Sequence, residues 1–365
     1  MAKLSDRFGL SWRPALAAEL WLALDELDVL EVMAEDALTP ARRRHLAPLI
    51  GERPLLVHGV SLGLASPEPV DPARLDRLAR LIHDLGAERW SEHLAFVRVG
   101  ELELHHLAAP PRDAATLAGL VRNVNRAYKA IGMLPALENV ASLVTPLGSE
   151  LDEPAWAAAV HAATGAPPLL DLHNLWANAT TFGWDPHDYL AALPAPNGEP
   201  LLIHLAGGRE VGQGRILDDH LHPVPEPVFD LLTEVARLRP EPLAVILERD
   251  GRWPPVSELL SELARARAAV KEGRALRAQA QAHIAPSDPR RTPTHQLSAP
   301  PPDPLGRIRL LARLYTDPEL LERLLLDPAA LAEPLGLALS PDDLDVEGLR
   351  LTAASFARKR AHAHR

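Results

Sequence analysis

Cysteine is missing altogether from these 365 residues. That excludes disulfides, zinc–thiolate sites, iron–sulfur clusters and a cysteine nucleophile within the chain. A basic surplus is missing as well, since the formal net charge is -11. Phosphate recognition needs concentrated Lys and Arg, so no nucleic-acid partner is expected. No uninterrupted apolar run approaches the ~18–20 residues of a membrane span. The opening MAKLSDRFGLSW lacks the apolar core of a signal peptide. The expectation is therefore a cytoplasmic protein with no membrane partner. Also missing is a glycine-rich phosphate turn after the first strand-like run, which argues against a doubly wound dinucleotide fold.

What the chain does have is alternation. Eight short apolar runs recur between residues 7 and 282: FGLSW (8–12), DVLEVMA (28–34), PLLVHGV (54–60), RWSEHLAFV (89–97), LPALENV (134–140), PPLLDLH (167–173), PLLIHLAG (200–207) and PLAVILERD (242–250). Several are almost continuously hydrophobic, as parallel strands covered on both faces must be. Amphipathic segments fall between them, for example 71–86, 113–132, 153–165 and 225–238. DPARLDRLARLIHDLG opens on an Asp cap, carries an i/i+3/i+4 leucine pattern and closes on Gly86. Eight such units predict an α/β protein, a (β/α)8 TIM barrel over residues 1–283. Residues 284–305 are rich in proline with polar filler and read as a linker. Residues 306–365 read as a small C-terminal α-helical domain. Its Asp-Pro pairs at 317–318 and 327–328 mark helix starts.

In a parallel barrel the chemistry gathers at the C-terminal ends of the strands. Read there, run three ends in His58 and run four carries Glu92 and His93. Run five ends in Glu138 and Asn139, and run six in Asp171, His173 and Asn174. Run seven contributes His204, and the loop after it Asp218, Asp219, His220 and His222. Run eight ends in Glu248, followed by Arg249 and Asp250. Any one of these residues is an ordinary buried histidine or a rim carboxylate. Six consecutive strands ending this way converge on one mouth, where uncompensated His, Asp and Glu carry large desolvation and repulsion costs. A metal site follows. More donors compete for the mouth than one ion takes, which favours two or three ions with Glu138 as a bridging carboxylate. Mixed imidazole and carboxylate donors suit iron, zinc or manganese. His105 and His106 lie in a strand-like insertion, ELELHH, and are read as structural or rim residues.

The ordered strings GLSWRP, EVMAED, HGVSLGL, SEHLAF, LENVAS, DLHNLWANA, IHLAGG, DDHLHPV and LERDG resemble the multinuclear non-haem iron-dependent oxidative enzymes, the family of the methanobactin oxazolone–thioamide synthase. The resemblance covers roughly residues 7–265. It implies a TIM barrel holding two or three irons, mixed Fe2+/Fe3+, with O2 as cosubstrate. The positions that match the family's ligands are His58, His93, Glu138, Asp171, one of the pair His173 and Asn174, His204, Asp218, His220 and Glu248. Of these, His58, His93, Glu138, Asp171, His204 and Glu248 are expected to carry catalysis. The resemblance further implies an oxidative modification, of cysteine in several members, on a ribosomally made precursor peptide. Many members work with a small partner protein that delivers the leader peptide. Residues 306–365 are a candidate for part of that docking role in cis.

Two rivals remain at this level. A metal-dependent hydrolase or isomerase of the xylose-isomerase-like barrel type uses similar donors, but an isomerase usually wants a lysine near its metals, and none stands at a strand end here. A non-catalytic metal- or peptide-binding protein on the same scaffold is the other.

Overall fold

Eight parallel strands close into a barrel in chain order: Arg7–Trp12, Val29–Met33, Leu55–Gly59, Arg89–His93, Ala136–Glu138, Pro168–Asp171, Leu201–Leu205 and Leu243–Leu247. The first pairs with the eighth through Arg7↔Ala244 to Leu10↔Leu247 and with the second through Gly9↔Val29 to Trp12↔Val32. This computed structural model describes residues 5–196, 198–281, 297–301, 303–337, 339 and 344–363. Most of the expected linker thus lies outside the described residues. A helix begins at Pro304, with Asp303 accepting from the Gly306 N–H at 2.8 Å.

Capping chemistry explains where the helices begin and end. Asp71 accepts from Ala73 N and Arg74 N, Pro72 supplies a pre-set first turn, and Gly86 ends the helix Pro72–Leu85 in the left-handed region at φ 59°. Asp113 and Asp152 cap Ala114–Ile131 and Glu153–Thr164 in the same manner. The apolar faces of these helices pack on the outer side of the barrel in one large core. A separate layer, Val29, Leu56, Ala136, Leu169, Leu202, Ala244 and Ile246, plugs the barrel's interior. Interior filling by stacked side-chain layers is the general solution for this fold.

Two antiparallel hairpins rise from the C-terminal rim. Phe96–Val99 pairs with Leu102–Ala108, and Arg209–Gly212 with Arg215–Leu217. The run read as one strand over 89–97 is therefore two elements, because Leu94 and Ala95 turn the chain out of the barrel. Of the C-terminal helices, Pro304–Thr316 and Val346–Ala363 pack on the first hairpin, and Pro318–Leu326 packs on both of them, with Pro328–Ala332 against it. These helices share a second core with the hairpin that includes Phe96, Leu104, Val144, Ile308, Leu311, Tyr315, Leu324 and Phe356. Among the described residues no helix is long and apolar enough to cross a membrane.

Candidate metal centre

The interior plug dictates the site above it. Side chains alternate along a strand with period two. Leu56 points inward, so His58 does too. Ala136 places Glu138, Leu169 places Asp171, Leu202 places His204, and Ile246 places Glu248. Val29 does the same for Glu31. His93 lies beside Glu138 in register, as Asp171 does beside His204.

Glu138 is the hub. Its Oε2 is 3.3 Å from both His58 Nε2 and His93 Nε2, and its Oε1 is 3.4 Å from His204 Nδ1. His204 Nδ1 is also 3.2 Å from Glu248 Oε2, which in turn is 3.4 Å from His220 Nδ1. His220 Nε2 and His173 Nδ1 each lie 2.9 Å from the same oxygen, Asp218 Oδ1. Three overlapping donor sets each fit within 4.8 Å: Glu31, His58 and His204; His58, His93 and Glu138; and Glu138, Asp171, His204 and Glu248.

Many of these atoms are buried without a hydrogen-bond partner. They include both oxygens of Glu138, Asp171 Oδ2, both ring nitrogens of His173, Asn174 Oδ1, His204 Nδ1, Asp218 Oδ1 and His220 Nε2. Buried polar atoms are normally satisfied, so a cluster of orphaned lone pairs facing one another is suited to holding a cation. The donor set fits one. Electrostatics agree. Burial works against charge on His204, but Glu248, Glu31 and Glu138 outweigh it and raise its pKa well above the usual value. Burial likewise opposes His93, and Glu138 and Glu92 hold it at about 9. Asp171 is pushed well up by burial, which its neighbour His220 only partly offsets. Without a cation, the cluster can be neutral only by holding protons.

The donors open into a cavity of about 590 Å3. His58, His93, Glu138, Asn174, His220 and Glu248 line it, as do Tyr315, Thr352, Ser355, Phe356 and Lys359 of the C-terminal helices. The combination of a closed parallel barrel, six strand-end donors and a walled cavity can be set against known proteins. A family described as "RiPP precursor modification enzyme MbnB/TglH/ChrH" matches residues 7–271. The chain belongs to this family. It is the multinuclear non-haem iron family that the ordered motifs resemble, and its members modify ribosomally made precursor peptides. A UPF0276 protein of Streptomyces avermitilis is 36% identical over 263 residues, 70% of this chain and 53% of that protein. The chain thus spans about half the length of that relative. A UPF0276 protein of Caulobacter vibrioides is 35% identical over 275 residues, 74% of this chain and 96% of that protein. Among solved structures, a xylose isomerase domain containing protein from Salmonella typhimurium aligns with a TM-score of 0.49 at 12% identity, over 74% of this chain and 99% of that one.

The structure gathers all ten family-matched positions, though not all as strand ends. His173 and Asn174 stand in the first turn of the helix Leu172–Phe182, which Asp171 caps by accepting from Asn174 N at 2.7 Å. The pattern PPLLDLH hid this boundary because a buried strand running into a buried helix shows no change in hydrophobicity. Both residues keep orphaned atoms, so both stay candidates; Asn174 borders the cavity, and His173 faces Asp218. Asn139 braces Asp171 and Asn174: its side chain accepts from Asp171 N and donates to Asp171 O, each at 2.9 Å, and its carbonyl accepts from Asn174 Nδ2 at 3.0 Å. Asn178 instead holds the loop at Val140 and Ser142 and binds Glu153.

Several neighbours face elsewhere. Glu92 accepts from Leu62 N and His93 N. Asp219 serves Arg209, Leu221 N and His222 on the rim. Arg249 pairs with Glu262. His220 adopts φ 54°, a strained conformation for a residue with a Cβ. Its carbonyl accepts from Asp250 N at 2.9 Å, which ties the strained turn to the eighth strand's end. Glu31 is the residue that strand-end reading misses. Its signal is the phase of Val29-x-Glu31, which matches Leu56-x-His58, in a strand whose last residues are apolar.

Proposed function

We propose that this chain is an O2-dependent multinuclear non-haem iron oxidoreductase that modifies a residue, cysteine above all, of a ribosomally synthesised precursor peptide. The observation that carries this reading is the set of buried, unpartnered lone pairs on Glu138, Asp171, His173, Asn174, His204, Asp218 and His220, in a member of a precursor-peptide-modifying family. Two or three irons fit the abundance and type of donors. His58, His93 and Glu138 would hold one ion; His204 and Glu248, with Glu138 or Asp171, a second; and His173 or Asn174, Asp218 and His220 a third. Bound iron supplies the redox chemistry, with O2 as the oxidant.

The chain's own residues define what surrounds that chemistry. Ser91 Oγ lies 2.8 Å from His58 Nδ1, and Gly59 O 3.2 Å from His93 Nδ1. Each contact fixes a ring so that its Nε2 faces Glu138. Arg13 is buried and stays cationic because Asp250 and Glu248 outweigh the cost of its burial. It balances carboxylate charge at the rim. With no cysteine in the chain, any thiol in the reaction belongs to the substrate. A small partner that presents the precursor's leader is consistent with the family's practice, and a share of that role for the C-terminal helices, some of whose residues border the cavity, is part of the proposal.

Metal analysis of protein purified without oxygen or chelator tests the reading. Two or three irons per chain are expected. Stoichiometric zinc or manganese that persists after anaerobic iron loading would instead favour the hydrolase or isomerase alternative.

A further inference from the structure

Part of the wall of the cavity that holds the metal donors is built by the C-terminal helix Val346–Ala363. Thr352, Ser355, Phe356 and Lys359 all border the cavity. Their spacing of i, i+3, i+4 and i+7 is one helical face. The face is held in place: Phe356 sits in the core shared with the hairpin, its ring 4.6 Å from the His106 ring and 5.1 Å from that of Tyr315.

His106 sets the polarity of this wall. Its Nδ1 accepts from the Leu107 N–H at 2.9 Å, so the ring's proton is on Nε2. Nε2 faces Ser355 Oγ at 3.5 Å. With Ser355 on the accepting side, its own hydroxyl proton is available to the cavity. Burial, reinforced by the positive charge of Lys359, holds His106 down at about 3, so it stays neutral and adds no competing charge. Thr352 is already committed, since its hydroxyl donates to Gly348 O at 2.7 Å. Among the described residues Lys359 has no carboxylate partner, in a chain whose net charge is -11. Ser355 and Lys359 are one helical turn apart and offer a hydroxyl and an ammonium side by side.

We propose that Lys359 and Ser355 form a carboxylate-binding subsite on this wall, which selects peptide substrates carrying an acidic residue near the modified position. The inference rests on the peptide-substrate reading above and adds the chemical class of sequence the cavity takes. An aspartate or glutamate side chain suits it: the ammonium supplies the counter-charge, and the Ser355 hydroxyl supplies a directed donor.

Truncating the chain is an unsuitable test, because it would strip the hairpin of its core partners. Point variants of the iron-loaded, full-length protein are suitable. The probes are amidated, acetylated hexapeptides with one cysteine, in which aspartate, asparagine or lysine scans the remaining positions. Binding is read by calorimetry under anaerobic, low-salt conditions. Lys359 is exposed to solvent at the cavity's edge, so at one or more positions aspartate should bind about threefold tighter than asparagine at low salt, the size expected of one solvent-exposed charge pair. Lys359→Gln should erase that preference, and Lys359→Glu should turn it toward lysine. Ser355→Ala should weaken aspartate binding without reversing it. Thermal unfolding of the variants serves as the control for folding. Equal binding of the three series by the native protein would overturn the proposal, as would an aspartate preference that survives Lys359→Glu. A serine-for-cysteine series separates the two readings. An aspartate preference retained with serine at lower overall affinity supports both the subsite and a thiol substrate, whereas the same preference at undiminished affinity supports the subsite and counts against a thiol substrate. Cysteine-dependent binding with no acid preference leaves the thiol substrate standing and removes the subsite.

Discussion

Glu31 Oε2 lies 3.0 Å from His204 Nε2, and both side chains are fully buried. The other ring nitrogen of His204 faces Glu138 and Glu248. A carboxylate behind a metal-facing imidazole fixes its tautomer and orientation and raises its basicity. Ser11 Oγ, 3.4 Å from Glu31 Oε1, and Arg13, which donates to Ser11 Oγ at 2.5 Å, extend this support to the first strand. Glu31→Gln keeps the shape and removes the charge. It is expected to weaken metal binding by roughly 10–100-fold, the usual range for such partners. Competition with a chelator of known affinity measures it. Unchanged affinity would show that Glu31 is a bystander.

His204→Ala removes a donor shared by two of the candidate sets. The interior plug beneath it, with Leu202 and Ile246, is left intact. Metal content should fall by at least one ion per chain while the far-UV circular dichroism spectrum persists. Retention of the full metal complement would contradict the assignment of His204 as a ligand.

Metal uptake should release protons. Before a cation binds, His93 is held at about 9 because Glu138 and Glu92 outweigh its burial. That value lies above the unfolded ~6.5. Protonated His93 therefore stabilises the cation-free fold fully below the unfolded value, and this contribution fades as pH rises through the folded one. A ligating imidazole must be neutral, so apparent metal affinity should climb between about pH 7 and 9. Calorimetric titration in two buffers of different protonation enthalpy reports the released protons. An affinity flat across that interval would refute the argument.

Gly208 allows the His173 ring to pack against the backbone. A Cβ placed there would meet Leu217 O at 2.2 Å and His173 Cε1 at 2.6 Å. The carbonyl cannot swing aside as a side chain can, so Gly208→Ala must shift the loop that carries Asp218 and His220. A loss of about 1–3 kcal/mol is expected from the overpacking, together with loss of metal from the His173 side of the site. Denaturant unfolding and metal analysis on the same preparation check both. Full stability with full metal content would show that the loop adapts.

Much of this site is legible in one dimension. The donors of strands three to eight stand where apolar runs stop, and period-two alternation carries each from the interior plug to the mouth. Asp171 and His204 are neighbours in register, which the sequence implies once a barrel is accepted. The choice between Asp218 and Asp219 is of another kind. The two are adjacent, and the turn at His220, at φ 54°, sends one to His173 and the other to Arg209.

The sequence by itself determined the barrel, because burial on both faces of a parallel strand and capping at each helix are local demands on residue type. It also pointed to metal chemistry, because buried imidazoles and carboxylates gathered in one barrel mouth are costly unless a cation or protons offset their charge. Tertiary structure alone decided three further things. Glu31 joins the site because the second strand lies in register with its neighbours. His173 and Asn174 reach it from the first turn of a helix. The helix Val346–Ala363, far along the chain, walls the cavity because it shares a core with the hairpin after strand four. Each depends on contacts between residues distant in sequence, and no local pattern of residue types encodes where such segments meet.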